Sequence, residues 1–167
     1  MAVLEVLRYP HPALKRRARR LKPLERKRIE TVARDLHDTM RAHNRCVGLA
    51  APQLGELVRM VVVDVRGHPK ATSSNGLLLL VNPEIVSSSG EEVAREGCLS
   101  IPDLTANVRR PTSIVVEATE PDGSQRRISA EGFEARCLAH EIDHLDGILF
   151  LDRVDSLKTD VFRRKSY

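Results

Sequence analysis

Apolar residues recur at three- and four-residue steps early in the chain, between about Glu25 and His43. Their positions are Ile29, Val32, Ala33, Leu36 and Met40. This spacing places them on one face of an α-helix, and Pro23 lies just upstream, where helices commonly begin. The pattern predicts an amphipathic helix over residues 25–43.

The middle of the chain contains short runs rich in β-branched residues, a pattern typical of strands. The longer runs are Leu57–Val65 and Gly76–Val81, with a polar loop at Gly67–Asn75 between them and Asn82-Pro83 ending the second. Shorter β-rich segments follow at Glu92–Arg95, Thr105–Arg109, Ser113–Ala118 and Gln125–Ser129. Because Pro121-Asp122-Gly123 favours a tight turn between the last two segments, we expect antiparallel sheet.

Helical patterns return near the end of the chain. A second helix is predicted from Glu131 to about Leu145, with Gly147 as its stop, and a short basic helix is predicted at about 155–165. We therefore expect an α+β fold in which residues 1–167 form a single domain. Its antiparallel β-sheets pack around a central helix, and a short C-terminal helix lies outside them.

Composition narrows the classes of protein to consider. The chain has 167 residues, of which 41% are hydrophobic, enough for one soluble domain with a core. Its longest apolar run, Leu77–Val81, is far shorter than the roughly 20 residues of a membrane span. Three cysteines cannot all pair within one chain, and no secretory leader is apparent. We expect a reduced, cytoplasmic protein.

The net charge of +4 is concentrated at the two ends of the chain. Residues 1–30 carry ten Lys or Arg against three acids, residues 31–151 carry twelve against seventeen, and residues 152–167 carry five against three. A mildly acidic centre is a poor match to a nucleic-acid groove, and a chain without Trp lacks an obvious platform for stacking bases. No sequence-specific nucleic acid is expected as a partner.

The candidate chemistry lies in the second predicted helix, where His140, Glu141 and His144 form an H-E-x-x-H pattern. Histidines four residues apart share a helix face and can bind one metal ion, and the intervening glutamate can move a proton. The alternative is a solvated helix turn with two surface histidines. Asp143 is either an exposed acid of that turn or a group that orients a ligand histidine.

A catalytic site needs a third protein ligand. A third histidine would fall at position 150 in one common protease pattern, but that residue is Phe150. Cysteine is the other option. Cys137 lies about 10 Å of helical rise from His144, which makes it a better core residue than ligand. Spacing does not choose between Cys46, in a loop, and Cys98, beside a glycine in Glu96–Ser100.

Three segments, taken together and in this order, resemble the motifs of the peptide deformylase family. They are Cys46–Gln53 (CVGLAAPQ), Glu96–Ser100 (EGCLS) and His140–His144 (HEIDH). The general resemblance extends from Tyr9 to Phe150. One position departs from the family pattern, because Cys46 stands where the first motif usually begins with glycine.

The resemblance implies a metal-dependent hydrolase that removes the formyl group from the N-terminal formylmethionine of nascent polypeptides. It implies that Cys98, His140 and His144 bind one divalent ion, most naturally Fe²⁺, although Zn²⁺, Ni²⁺ or Co²⁺ would also suit these ligands. Glu141 would move the proton. The Gln53 side-chain amide and the Leu99 backbone N–H would stabilise the oxyanion.

The same resemblance implies a methionine pocket. It maps onto Val47, Glu96, Phe133, Arg136 and Cys137, and Gly48 would let the backbone pass close to the substrate. An arginine is unexpected in such a pocket, so we expect Arg136 to offer its alkyl stem while its charge stays in water. Glu96 is expected to pair with Arg110.

Two other functions remain open, namely a non-enzymatic relative that binds ribosomes and a small metallopeptidase. The complete set of expected ligands and catalytic groups weighs against the first, and the missing third histidine weighs against the second. By resemblance, we expect formylmethionyl nascent peptides as substrates and a monomeric protein without membrane contact. Contact with the ribosome would be made by four basic residues near the C-terminus, Lys158, Arg163, Arg164 and Lys165.

Overall fold

The computed structural model describes residues 3–165. Within them the chain forms two α-helices, eight strands and three 3₁₀ helices, the latter at Pro12–Lys15, Ala51–Leu54 and Phe150–Arg153. The helices are α1 (Arg26–Ala42) and α2 (Gly132–Leu145). The strands are β1 (Gly48–Ala50), β2 (Met60–Val63), β3 (Leu78–Ser89), β4 (Glu92–Cys98), β5 (Ile101–Arg110), β6 (Ser113–Thr119), β7 (Gln125–Glu131) and β8 (Val161–Arg163).

The strands form two antiparallel sheets, which confirms the predicted α+β class. A five-stranded sheet has the order β1-β2-β3-β6-β7, and a three-stranded sheet has the order β4-β5-β8. The predicted hairpin is β6–β7, with Thr119 opposite Gln125. Neither helix within residues 3–165 is long and apolar enough to cross a membrane.

The two helices pack on opposite faces of the five-stranded sheet. On β2, Met60 and Val62 belong to the cluster that contains the apolar side of α1, whereas Val61 and Val63 belong to the cluster that contains α2. Alternate strand residues point to opposite faces, so a strand covered on both faces must be apolar throughout. This is why the β2 segment is a continuous hydrophobic run.

Helix α2 is buried on nearly all sides, with every residue from Glu134 to Leu145 buried. Its apolar residues pack on the five-stranded sheet. Its polar residues face the β4–β5 hairpin, where Asp143 contacts Arg110 and His140 contacts Glu96. The predicted bounds of α1 and α2 are confirmed to within one residue at each end.

The predicted C-terminal helix at about 155–165 is wrong. Residues 157–159 form a turn, and Val161–Arg163 form β8, which pairs with the free edge of β5, where Thr105 lies opposite Phe162. Val161 also packs against an apolar cluster beneath the β4–β5 hairpin that includes Ala106, Val108 and Phe150. Strand pairing and this burial outweigh the weak helical preference of a segment that contains Thr159, Val161 and Phe162.

Strand β3 is also longer than predicted, because Asn82-Pro83 does not end it. The register against β6 shifts between Val81 and Glu84, and Asn82 takes a positive φ of 50° at this irregularity. The Asn82 side chain bonds to both the N–H and the carbonyl of Leu21, which supports the distorted backbone. The strand therefore bends at the Asn-Pro pair and continues.

Gly147, at the end of α2, is predicted to be more sensitive to substitution than Gly67. It has φ of 71°, and a Cβ there would lie 2.5 Å from the Lys15 carbonyl oxygen. We expect Gly147→Ala to lower the unfolding free energy by about 3 kcal/mol, combining left-handed strain with overpacking. Gly67 has φ of 79° but open space around it, so Gly67→Ala should cost only about 1 kcal/mol. Urea unfolding measures both, and equal losses would contradict this account.

Candidate metal centre

Three potential metal ligands converge where α2 meets the β4–β5 hairpin. Helix α2 presents His140 and His144 one turn apart, and β4 ends at Cys98. Their ligand atoms all lie within 4.8 Å of one another, and all three residues are buried. The Cys98 Sγ is 3.4 Å from the His144 Nε2. The structure thus brings the three predicted ligands together, and leaves Cys46 and Cys137 outside the group.

A carboxylate behind the site orients His140. The Nδ1 of His140 lies 2.8 Å from Oε1 of Glu96, which leaves Nε2 to face the other ligands. Burial opposes the charged form of His140, but its hydrogen bonds to Cys98 and Glu96 outweigh burial and raise its pKa well above the usual value. A metal ion must displace that proton, so we expect its affinity to fall as the pH is lowered.

Two guanidinium groups hold Glu96 in place. Arg110 on β5 donates to both carboxylate oxygens, at 2.6 and 3.0 Å, so the predicted pairing is present. Arg136 on α2 donates to Oε2 at 2.6 Å and to the carbonyls of Val108 and Glu92, each at 2.8 Å. The expectation that the Arg136 charge stays in water is therefore wrong, because its guanidinium lies in a buried ion pair.

Asp143 is not the exposed helix acid that one alternative suggested. Its carboxylate is buried and accepts from Arg110 Nη1 at 2.9 Å and from Arg153 Nη2 at 2.8 Å. Arg110 therefore bridges Glu96 and Asp143. The result is a chain of alternating charges that joins the histidine helix, the hairpin and the 3₁₀ helix at Phe150–Arg153.

The donor set suits a divalent transition metal. One cysteine sulfur and two imidazole nitrogens are ligands that Zn²⁺, Fe²⁺, Co²⁺ and Ni²⁺ all accept. Burial, followed by the positive charge of His140, lowers the pKa of His144 well below its usual value, so this imidazole is neutral and able to coordinate. The oriented Nδ1 of His140 is the arrangement that metal-binding histidines require. The residues present therefore fit a single ion.

Glu141 lies on α2 against the first motif. Its Oε2 is buried and has no hydrogen-bond partner among the described residues, and burial raises its pKa to about 7. A Cβ at Gly48 would lie 2.7 Å from Glu141 Oε1, so the missing side chain of Gly48 leaves room for this carboxylate. From the sequence, Gly48 was expected only to let the backbone pass close to the substrate, and its contact with Glu141 was not foreseen.

Gln53 and Leu99 flank the ligands. The Gln53 Oε1 accepts from the Ala50 N–H at 2.9 Å, which fixes the amide so that Nε2 points to Cys98 Sγ, at 3.4 Å, and to Ser100 Oγ, at 3.1 Å. Leu99 follows Cys98 in the β4–β5 turn. Both residues line a cavity above the ligands.

A cavity of about 500 Å³ opens above the ligands. All the residues predicted for substrate binding line it, namely Val47, Gly48, Glu96, Phe133, Arg136 and Cys137. Sequence reasoning missed four cationic residues that also line it: Arg45, Lys70, Arg95 and Arg164. In the sequence, these residues are marked only by their positive charge.

Cys46, the departure from the family pattern, also lines the cavity. Its thiol donates to the Gly48 carbonyl at 3.2 Å, and burial, followed by the charge of Glu141, raises its pKa to about 12. It is therefore a neutral thiol that braces the loop before β1.

Comparison with known proteins identifies the family. A polypeptide deformylase sequence model matches residues 3–160. The chain is 40% identical to the peptide deformylase of Thermodesulfovibrio yellowstonii over 165 residues, covering 99% of this chain and 97% of that protein. It is 41% identical to the peptide deformylase of Dictyoglomus thermophilum over 160 residues, covering 95% and 98%.

Solved structures agree with the sequence comparison. The peptide deformylase of Legionella pneumophila is 39% identical with a TM-score of 0.84, covering 94% of this chain and 89% of that one. A class I type b peptide deformylase from Acinetobacter baumannii, solved with Met-Ala-Ser bound, is 33% identical with a TM-score of 0.85, covering 92% and 100%. With a family match over almost its whole length and these structural neighbours, the chain belongs to the polypeptide deformylase family.

Proposed function

We propose that the chain hydrolyses the formyl group from the N-terminal formylmethionine of nascent polypeptides at one divalent metal ion, releasing formate. The observation that carries this proposal is the convergence of Cys98, His140 and His144, with Glu141 buried beside them. Family membership supplies the reaction, and the geometry supplies the groups that perform it.

Cys98, His140 and His144 would hold the ion. When bound, it supplies Lewis-acid chemistry, acidifying a water molecule and polarising the formyl carbonyl. The donor set accepts several divalent metals, and the family resemblance favours Fe²⁺. Glu96 would keep the His140 Nε2 free to coordinate the ion by accepting a hydrogen bond from Nδ1–H.

Glu141 moves the proton. The buried carboxylate would accept a proton from the attacking water and return it to the leaving amine nitrogen. Because Oε2 makes no hydrogen bond with a described residue, it is available for this exchange.

Gln53 and Leu99 would bind the oxyanion of the tetrahedral intermediate. The Ala50 N–H occupies the Gln53 Oε1, so the amide can present only its NH₂ group to the site. That group then exchanges its contacts with Cys98 and Ser100 for the developing negative charge. The Leu99 backbone N–H would add the second donor.

The substrate would lie between two strands that are edges of their sheets, β1 and β4. An extended peptide can pair with such edges while its side chains enter pockets beside them. Val47, Phe133 and Cys137 provide apolar surface for the methionine side chain. The Met-Ala-Ser tripeptide bound to the Acinetobacter relative is what deformylation of a formylated tripeptide would leave.

The metallopeptidase alternative is not favoured, because no observation points to internal cleavage. A cytoplasmic monomer remains our expectation. Ribosome contact also remains a prediction, although residues 155–165 do not form the helix that was expected there. Lys158, Arg163 and Lys165 are exposed on β8 and its flanks, whereas Arg164 lies against Gly97 beside the cavity.

Replacing Cys98 tests the ligand assignment. We expect Cys98→Ala to lose stoichiometric metal, because two imidazoles alone hold a divalent ion weakly. Cys46→Ala is the matched control, since it removes a neighbouring thiol that lies outside the ligand group, and it should retain about one ion per chain. Metal analysis after gel filtration distinguishes the variants. Full metal content in Cys98→Ala would refute the assignment.

Glu141→Gln separates proton transfer from metal binding. The variant should bind metal as the wild type does, because Glu141 is not a ligand. Its kcat for formate release from formyl-Met-Ala-Ser should fall about 10²- to 10⁴-fold. Turnover near the wild-type level would remove Glu141 from the proposed role.

Gly48→Ala tests whether the missing side chain positions Glu141. The added methyl group would displace a carboxylate rather than backbone, so we expect folding and metal content to be kept and kcat to fall about tenfold. In the Gly48→Ala/Glu141→Gln double variant the loss should equal that of Glu141→Gln alone. Additive losses would show that Gly48 acts independently of Glu141.

A further inference from the structure

The cavity mouth is strongly cationic. Five Lys or Arg side chains line the cavity against two carboxylates, Glu96 and Glu141, and these five are Arg45, Lys70, Arg95, Arg136 and Arg164. Arg136 is already paired with Glu96, and Glu141 faces the reacting centre. The remaining positive charge therefore lies at the mouth, where Arg45, Lys70 and Arg95 are exposed to solvent.

Arg95 on β4 is held in place by neutral groups. Its guanidinium donates to Asn107 Oδ1 at 3.1 Å and to Thr105 Oγ1 at 3.3 Å, and it lies 3.8 Å above the Phe162 ring. These contacts restrict the side chain without neutralising its charge. Strand β8 thus positions a cation at the edge strand that borders the cavity.

Arg164, at the end of β8, lies close to the same edge. A Cβ at Gly97 would lie within contact of its Nη2, so the guanidinium covers the glycine next to Cys98. The Arg164 backbone N–H is fixed by the Asp103 carbonyl at 2.9 Å. Arg95 and Arg164 therefore border the path out of the site along β4.

Arg45 and Lys70 lie on loops before β1 and after β2, away from the β4 edge. The nearby carboxylate of Asp64 already accepts two hydrogen bonds from the Arg66 guanidinium, at 2.7 and 2.9 Å. The pKa of His68, stacked on Phe133 at 4.3 Å, is lowered by burial and then by Lys70 and Arg45. Within residues 3–165, none of Arg45, Lys70 and Arg95 forms an ion pair with a carboxylate.

We propose that this cationic mouth selects formylated peptides with an aspartate or glutamate among the first residues after formylmethionine. This inference rests on the proposed function, which places the formyl group at the ligands and the methionine in the apolar pocket. The following residues must leave through the mouth. An extended chain advances about 3.3 Å per residue, so the second to fourth residues pass Arg95, which is three residues from Cys98 on β4.

The preference should be modest and sensitive to salt. The cations at the mouth are exposed, and a single ion pair of this kind changes an equilibrium by about fivefold at most. We expect kcat/KM for formyl-Met-Ala-Glu to exceed that for formyl-Met-Ala-Gln by about threefold to fivefold at low salt. Formyl-Met-Ala-Lys should fall below both, and the differences should shrink as salt screens the charges.

The test compares formate release from these three peptides by metal-loaded wild type, Arg95→Gln and Lys158→Gln. Arg95→Gln should bring the Glu-to-Gln ratio of kcat/KM close to one. Lys158→Gln removes the same charge from an exposed position that does not line the cavity, and it should keep the wild-type ratio. A ratio that falls equally in both variants would show a general charge effect and overturn the inference.

The remaining outcomes separate this inference from the proposed function. Formate release from all three peptides at equal rates would refute the acidic preference and leave the deformylase activity intact. Absence of formate from every peptide would overturn the proposed function, and this inference with it. If Arg95→Gln left the peptide ratio unchanged but lost co-sedimentation with ribosomes, the mouth would be an RNA-binding face and the inference would be wrong.

Discussion

The buried carboxylate of Glu96 accepts hydrogen bonds from Arg110 on β5 and from Arg136 and His140 on α2. Glu96 lies two residues before Cys98 on β4, and both side chains are buried. The contact that orients His140 therefore also holds the end of β4, where Cys98 lies, against the helix that carries His140 and His144. Removing one partner from such a buried ion pair costs about 3–5 kcal/mol, because the others are left uncompensated. The ligand geometry depends on this cluster.

Much of the site was predictable because its information is local. Periodic apolar residues predicted α1, and a continuous apolar run predicted β2. Two histidines one turn apart on a helix indicate a metal site, because both side chains can bind one ion. Spacing could not choose between Cys46 and Cys98, since that choice depends on how the β4–β5 hairpin meets α2. The resemblance to known motifs supplied what local physics lacked.

The predictions that failed depend on contacts between residues distant in sequence. Arg136 was unexpected in an apolar pocket because its partner, Glu96, is 40 residues away in the sequence. Two alternatives were left open for Asp143, because its partner Arg110 is 33 residues away. The terminal segment was predicted to be a short basic helix, but the free edge of β5 pairs with Val161 and Phe162 instead. The acidic average of the middle of the chain likewise concealed a cationic cavity mouth, since charge along a sequence does not determine charge around a cavity.

The central claim is that one metal ion, held by Cys98, His140 and His144, is required for hydrolysis of the formyl group. The most direct test is to remove metal from the wild-type protein and restore Fe²⁺ anaerobically in steps, measuring formate release from formyl-Met-Ala-Ser at each step. We expect activity to rise in proportion to bound metal and to level off at about one ion per chain. Formate release by the metal-free protein, or full metal loading without formate release, would contradict the account.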